Sequence, residues 1–76
     1  MTRAKDRDRP KQVMFHLDEL LESRGLTLTE LANRVDITLV NLSVLKNNRA
    51  RAIRFSTLEA LCKVLDCQPG DLMSYE

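Results

Sequence analysis

Apolar positions first recur at helical spacing from Leu17: Leu17, Leu20 and Leu21 lie three and four apart, and Gly25 follows Arg24. The spacing predicts a first helix of about two turns, stopped by a glycine just past its C-cap. Ahead of it, Gln12 to His16 is a short run with β-type residues (Val13, Met14, Phe15). It reads either as a brief strand, paired with the C-terminal tail within the chain or across a dimer, or as the lead-in to the helix. Thr27 stands three before Glu30, the spacing of a capping box, and opens a second short helix with Leu31, Ala32 and Val35 inward. Asp36 then turns the chain through the left-handed region, which Asp enters less easily than Gly but more easily than most residues. Thr38 caps a third helix with Leu42 and Leu45 inward and Ile37 packed under the turn; Asn47-Asn48 ends it in a left-handed cap.

Beyond lies a basic loop, Arg49 to Phe55. Ser56 and Glu59 repeat the capping-box spacing before a fourth helix faced by Leu58, Leu61, Cys62 and Leu65. Gln68-Pro69-Gly70-Asp71 reads as a stop followed by a start, because Pro is favoured in a first helical turn. Leu72 and Met73 then close the core in a last helical turn, and Ser74-Tyr75-Glu76 is an extended tail. The prediction is an all-α, compact five-helix domain over residues 12–76, with short extended segments at its N- and C-terminal ends.

Size agrees with that reading. A chain of 76 residues buries only about 60% of its unfolded surface. That excludes a two-domain enzyme, a large cofactor fold and a solenoid. With 43% hydrophobic and 30% charged residues the composition is that of a globular domain. Two Gly and two Pro are too few for a sandwich or barrel.

The net charge of +1 hides a pattern. Residues 1–11 carry Arg3, Lys5, Arg7, Arg9 and Lys11 against Asp6 and Asp8, and residues 36–54 carry Lys46, Arg49, Arg51 and Arg54 against Asp36; each block is +3. The stretches 12–35 and 55–76 are net acidic. Alternating blocks predict a basic side and an acidic side. Residues 1–11, charged throughout and ending near Pro10, read as a disordered basic arm that either solubilises the chain or tracks a DNA groove.

Enzyme chemistry finds little support. His16 is the sole imidazole, and no Ser or Cys has a placed base. There is no glycine-rich phosphate loop. Cys62 and Cys67 meet no zinc-ligand spacing and read as small core or semi-core residues carrying reduced thiols. No apolar run follows the basic arm as in a signal peptide, and none is long enough to span a bilayer. The expectation is a cytoplasmic non-enzyme with no cofactor, no metal, no small-molecule ligand and no membrane contact.

The informative constellation is Thr27 to Asn47: two short capped helices meeting at a tight turn on Asp36-Ile37, with small Ala32 at their close approach. That is the recipe of a helix-turn-helix, whose second helix suits the major groove of B-form DNA. The run TLTELANRVDITLVNLSVLKNN, Thr27 to Asn48, resembles the helix-turn-helix of the Cro and phage-repressor (XRE) family. The resemblance continues through residues 49–73, where Cys-Gln-Pro-Gly-Asp-Leu, Cys67 to Leu72, is the most distinctive string of a subgroup of small bacterial regulators.

The resemblance implies a five-helix, lambda-repressor-like domain acting as a homodimer on double-stranded operator DNA, as a transcriptional regulator and in particular a repressor. By position it assigns base contacts to Thr38, Leu39, Val40, Asn41 and Val44, and phosphate contacts to Thr27, Lys46, Asn47, Arg49 and Arg51. Arg54 matches a position from which family repressors reach the minor groove. Two departures stand out. Asp36 replaces the usual turn glycine, at a cost of roughly 1 kcal/mol in backbone strain. Leu39, Val40 and Val44 replace the polar residues common there; apolar side chains press on a thymine methyl but cannot separate G from A. Specificity then leans on Thr38, Asn41, Ser43 and DNA shape. The competing reading makes the apolar face of the third helix a partner-binding surface, as in an antitoxin-like or adaptor module.

Overall fold

The computed structural model describes residues 11–76. The elements run β1 (Val13–Phe15), α1 (Leu17–Arg24), α2 (Leu28–Val35), α3 (Leu39–Lys46), α4 (Phe55–Leu65), α5 (Pro69–Leu72) and β2 (Met73–Tyr75). The basic arm expected over residues 1–11 lies, apart from Lys11, outside the described residues.

The core is built almost wholly from leucine. Leu17, Leu21, Leu31, Leu42, Leu45, Leu58, Leu61, Leu65 and Leu72 are buried together with Ala32. Each helix contributes the inward positions that its 3.6-residue period dictates. α4, the longest helix, packs against α1, α2 and α5, while α3 packs against α2 and α1.

α1, α2, α3 and α4 end in the same way. After each comes a residue of positive φ: Gly25 at 65°, Asp36 at 53°, Asn48 at 60° and Asp66 at 50°. The next amide donates back across the last turn, five residues upstream: Leu26 to Leu21 at 3.0 Å, Ile37 to Ala32 at 3.2 Å, Arg49 to Val44 at 2.9 Å and Cys67 to Cys62 at 3.0 Å. This is the Schellman ending, which satisfies orphan carbonyls and brings the two residues it links side by side. Gly25 is the only glycine among the four. At Asp36 and Asp66 an L side chain bears the left-handed strain, so Asp36→Gly is expected to raise stability by about 0.5 kcal/mol, roughly 2–4 °C in melting temperature. A clear drop in thermal unfolding would mean that the Asp36 side chain stabilises the turn.

The fold is mostly helical, and the two extended segments at its ends are short strands. β1 and β2 pair antiparallel, with Val13 opposite Tyr75, Met14 opposite Ser74 and Phe15 opposite Met73. Gln12 and Glu76 exchange backbone hydrogen bonds at 2.7 and 2.9 Å, extending the ladder by one residue pair. Period-2 alternation puts Val13, Phe15, Met73 and Tyr75 on one face, and the Lys11 ammonium sits 5.1 Å from the Tyr75 ring centroid. His16 shares a 2.6 Å hydrogen bond with Ser74 Oγ and approaches the Glu76 carboxylate to 3.2 Å, a structural clasp between the two ends of the domain.

Three local expectations are corrected. Ser56 does not cap α4: the helix begins at Phe55 with extended Arg54 at its N-cap and no side-chain cap. The Leu58 amide already bonds the Arg54 carbonyl at 3.0 Å, so Ser56 lies inside the first turn, where its hydroxyl is not placed to accept from Glu59. Met73 opens β2 instead of extending α5, because pairing with Phe15 satisfies its backbone. Of the two asparagines ending α3, only Asn48 is left-handed; Asn47 keeps φ −91°.

Candidate nucleic-acid interface

The turn between α2 and α3 is three residues long, and each has a role. Asp36 takes the left-handed cap, Ile37 tucks half-buried against the core, and Thr38 is the N-cap of α3, its hydroxyl accepting from the Asn41 amide at 3.1 Å. Upstream, Thr27 and Glu30 make the reciprocal capping box of α2 at 3.0 and 3.1 Å. The Thr27 backbone amide, and after it the Thr27 hydroxyl, hold the Glu30 carboxyl below the ordinary glutamate value. Both helix starts are thus fixed by local chemistry, and the small Ala32, whose carbonyl accepts from the Ile37 amide of the turn, is buried in the core.

α3 then divides cleanly. Leu42 and Leu45 are buried, while Leu39 (46%), Val40 (73%) and Val44 (36%) are exposed. Thr38 and Asn41 are exposed and Ser43 is half-buried. At 100° per residue the buried pair faces one way, and Val40, Ser43, Val44 and Asn47 form the ridge opposite. Asn47 donates its amide nitrogen to the Ser43 carbonyl at 3.0 Å and the Ser43 hydroxyl at 3.3 Å, so these two act as one polar unit at the end of the ridge.

Thr38, Asn41 and Val44 face Arg49, Arg51 and Arg54 across one concave surface. Arg49 is placed there by the Schellman ending of α3, which sets it beside Val44. The loop that follows is pinned at both ends. The Phe15 amide donates to Asn48 Oδ1 at 2.6 Å, and Ile53 packs on the core. From Ile37 to Leu58 the sequence contains no carboxylate. Asp36, at the rim of the concave surface, is the one acidic residue lining it.

Other expected contacts sit apart from this surface or are already engaged. Leu39 and Val40 do not line it. Lys46 is half-buried and pairs with Asp18 of α1 at 3.6 Å, which draws its ammonium toward the acidic side. The Thr27 hydroxyl oxygen accepts from the Glu30 amide in the capping box and keeps its own proton to donate. Two contributors have no sequence signal of their own. Asn48 ties the basic loop to β1 from 33 residues away. Arg24 donates to the Leu65 and Asp66 carbonyls at 2.7 and 3.1 Å, neutralising the C-terminal end of α4. Among the described residues no group of His, Cys, Asp and Glu is arranged to hold a metal ion, and no helix is long and apolar enough to cross a membrane.

A capped pair of short helices around a three-residue turn, the second displayed beside three arginines, defines a helix-turn-helix domain. Residues 16–76 match the model of the Cro/C1-type HTH DNA-binding domain. The chain belongs to that family. It is 54% identical over 63 residues to YozG, an HTH-type transcriptional regulator of Bacillus subtilis (strain 168), an alignment spanning 83% of this chain and 75% of that protein. Its fold is also similar to the crystal structure of the transcriptional regulator VanUg, with a TM-score of 0.74, 25% sequence identity, and coverage of 90% of this chain and 89% of that one.

Proposed function

We propose that this protein is a sequence-specific, double-stranded DNA-binding transcriptional repressor that inserts α3 into the major groove as a homodimer. Its family is a DNA-binding one, and both YozG and VanUg are described as transcriptional regulators, a non-enzyme class. The observation that carries the reading is the concave surface joining the open side of α3 to Arg49, Arg51 and Arg54.

In this reading residues 12–76 are the binding domain, and base edges are read by Thr38, Asn41 and Ser43. Leu39, Val40 and Val44 press on thymine methyls. Thr27, Asn47, Arg49 and Arg51 hold phosphates through hydroxyl, amide and guanidinium donors, and Arg54 reaches the minor groove. Lys46 joins the phosphate contacts once it leaves Asp18. Two copies on a pseudo-palindrome would set their α3 helices about 34 Å apart.

Electrophoretic shift titrations at several salt concentrations test the proposal. The logarithm of the affinity is expected to fall linearly with that of salt, with a slope near 0.9 per phosphate contact. No shift at micromolar protein would overturn it. A second reading rests on Leu39 and Val40, exposed yet outside the basic surface. There, the apolar side of α3 docks a protein. If Leu39→Lys abolishes self-association or capture of a partner while DNA affinity holds or rises, that reading replaces the first.

A further inference from the structure

Where α1 and α2 finish, the residues joined by the long backbone hydrogen bond are Leu21 with Leu26 and Ala32 with Ile37, apolar pairs that seal the helix end. At the end of α4 the same two positions hold Cys62 and Cys67. The motif that packs a leucine against a leucine in α1 therefore sets two thiols against each other here. The Cys67 amide donates to the Cys62 carbonyl at 3.0 Å, and left-handed Asp66 closes the turn between them. Arg24 holds this end in place from α1 by binding the Leu65 and Asp66 carbonyls.

Both cysteines are free and only half-buried. They line a shallow open groove with Phe55, Leu58, Glu59 and Pro69, and Phe55 is 79% exposed. A small reagent reaches the pair from solvent. Leu58, which lines the inner side of the groove, is itself buried. Burial, and then the adjoining Cys62, push the Cys67 thiol up from its ordinary value; Asp71 of α5 adds to this and Arg24 opposes it.

We infer that Cys62 and Cys67 form a two-electron redox site that a low-molecular-weight disulfide converts to an intramolecular disulfide across the end of α4. One thiolate attacks the small disulfide, forming a mixed disulfide and releasing one small thiol. The other thiolate then displaces the second small thiol and closes the Cys62–Cys67 bond. Two S–H bonds are lost in the chain, one S–S bond forms, and the two protons and two electrons leave on the two small thiols. The site is separate from the basic surface and stands whether or not the chain binds DNA.

The test uses the full chain and oxidised glutathione. After treatment the intact mass falls by two hydrogens, alkylation by iodoacetamide disappears, and dithiothreitol restores both thiols. Trypsin cuts after Lys63 and so parts the two cysteines; in the oxidised chain the Cys62 and Cys67 peptides stay joined until reduction. Cys62→Ser and Cys67→Ser, each checked for native circular dichroism, are expected to show no two-hydrogen loss and to stop at the mixed disulfide, gaining one glutathionyl group that dithiothreitol removes. Stable double glutathione adducts, cross-linked dimers in place of the internal bond, or two thiols surviving a large excess of oxidised glutathione would each overturn the inference.

Discussion

Replacing Arg49, Arg51 and Arg54 together with alanine is expected to lower affinity for duplex DNA by about two orders of magnitude at 0.15 M salt, and to flatten the log–log salt slope by about 3. The size follows from counterion release: each phosphate neutralised contributes about 0.9 to the slope, which near physiological salt is roughly fivefold in affinity. All three side chains are exposed, and among the described residues none makes a salt bridge, so their charge is not already spent inside the chain. Their removal leaves the loop anchored, because Asn48 and Ile53 hold its ends and neither depends on a guanidinium. The triple variant should therefore keep its melting temperature. Lys63→Ala is the matched control, a cation exposed on α4 outside the concave surface; its salt slope should match that of the unaltered chain. A triple variant whose slope is unchanged would move the DNA contact elsewhere on the molecule.

Such a contrast depends on features of very different legibility. Where one helix end is decided by residues within a turn of it, the sequence shows it. Thr27 with Glu30, Gly25 after Arg24, Asp36 before Ile37 and Pro69 at the start of α5 all act over five residues or fewer. Ser56 shows the limit of that reasoning. Its spacing to Glu59 suits a cap, yet α4 starts at Phe55 and leaves the hydroxyl inside the helix. Contacts that join distant segments left no trace: Asn48 to Phe15, Arg24 to Leu65 and Lys46 to Asp18 span 33, 41 and 28 residues respectively, judged by position in the chain. The strand pairing lies between these cases, since the β-type run Val13 to Phe15 was visible while its register with Met73 to Tyr75 required the fold. In α3 the difficulty is of another kind. Leu39, Val40, Leu42, Val44 and Leu45 make the helix apolar on several sides, so periodicity alone leaves its outer side ambiguous. Resemblance to a family pointed to the open side, and the buried positions of Leu42 and Leu45 locate it.

That division of α3 leads to the largest stability effect. Leu42→Ala is expected to destabilise the domain by about 2–5 kcal/mol, since Leu42 is fully buried and its removal leaves a cavity among leucines that cannot collapse freely. A domain of this size is stable by only about 5–10 kcal/mol. The substitution should therefore lower the melting temperature by roughly 10–30 °C. Val40→Ala, two residues away, removes methyls that already face solvent at 73% exposure and should cost no more than about 0.5 kcal/mol. Both substitutions shorten an aliphatic side chain on the same helix, and alanine is the better helix former in each case, so a loss at Leu42 reports its surroundings and not propensity. Urea unfolding of the pair gives both values on one scale. A large loss at Val40 would mean that the outer side of α3 is covered in solution, and the duplex would then have no helix to meet.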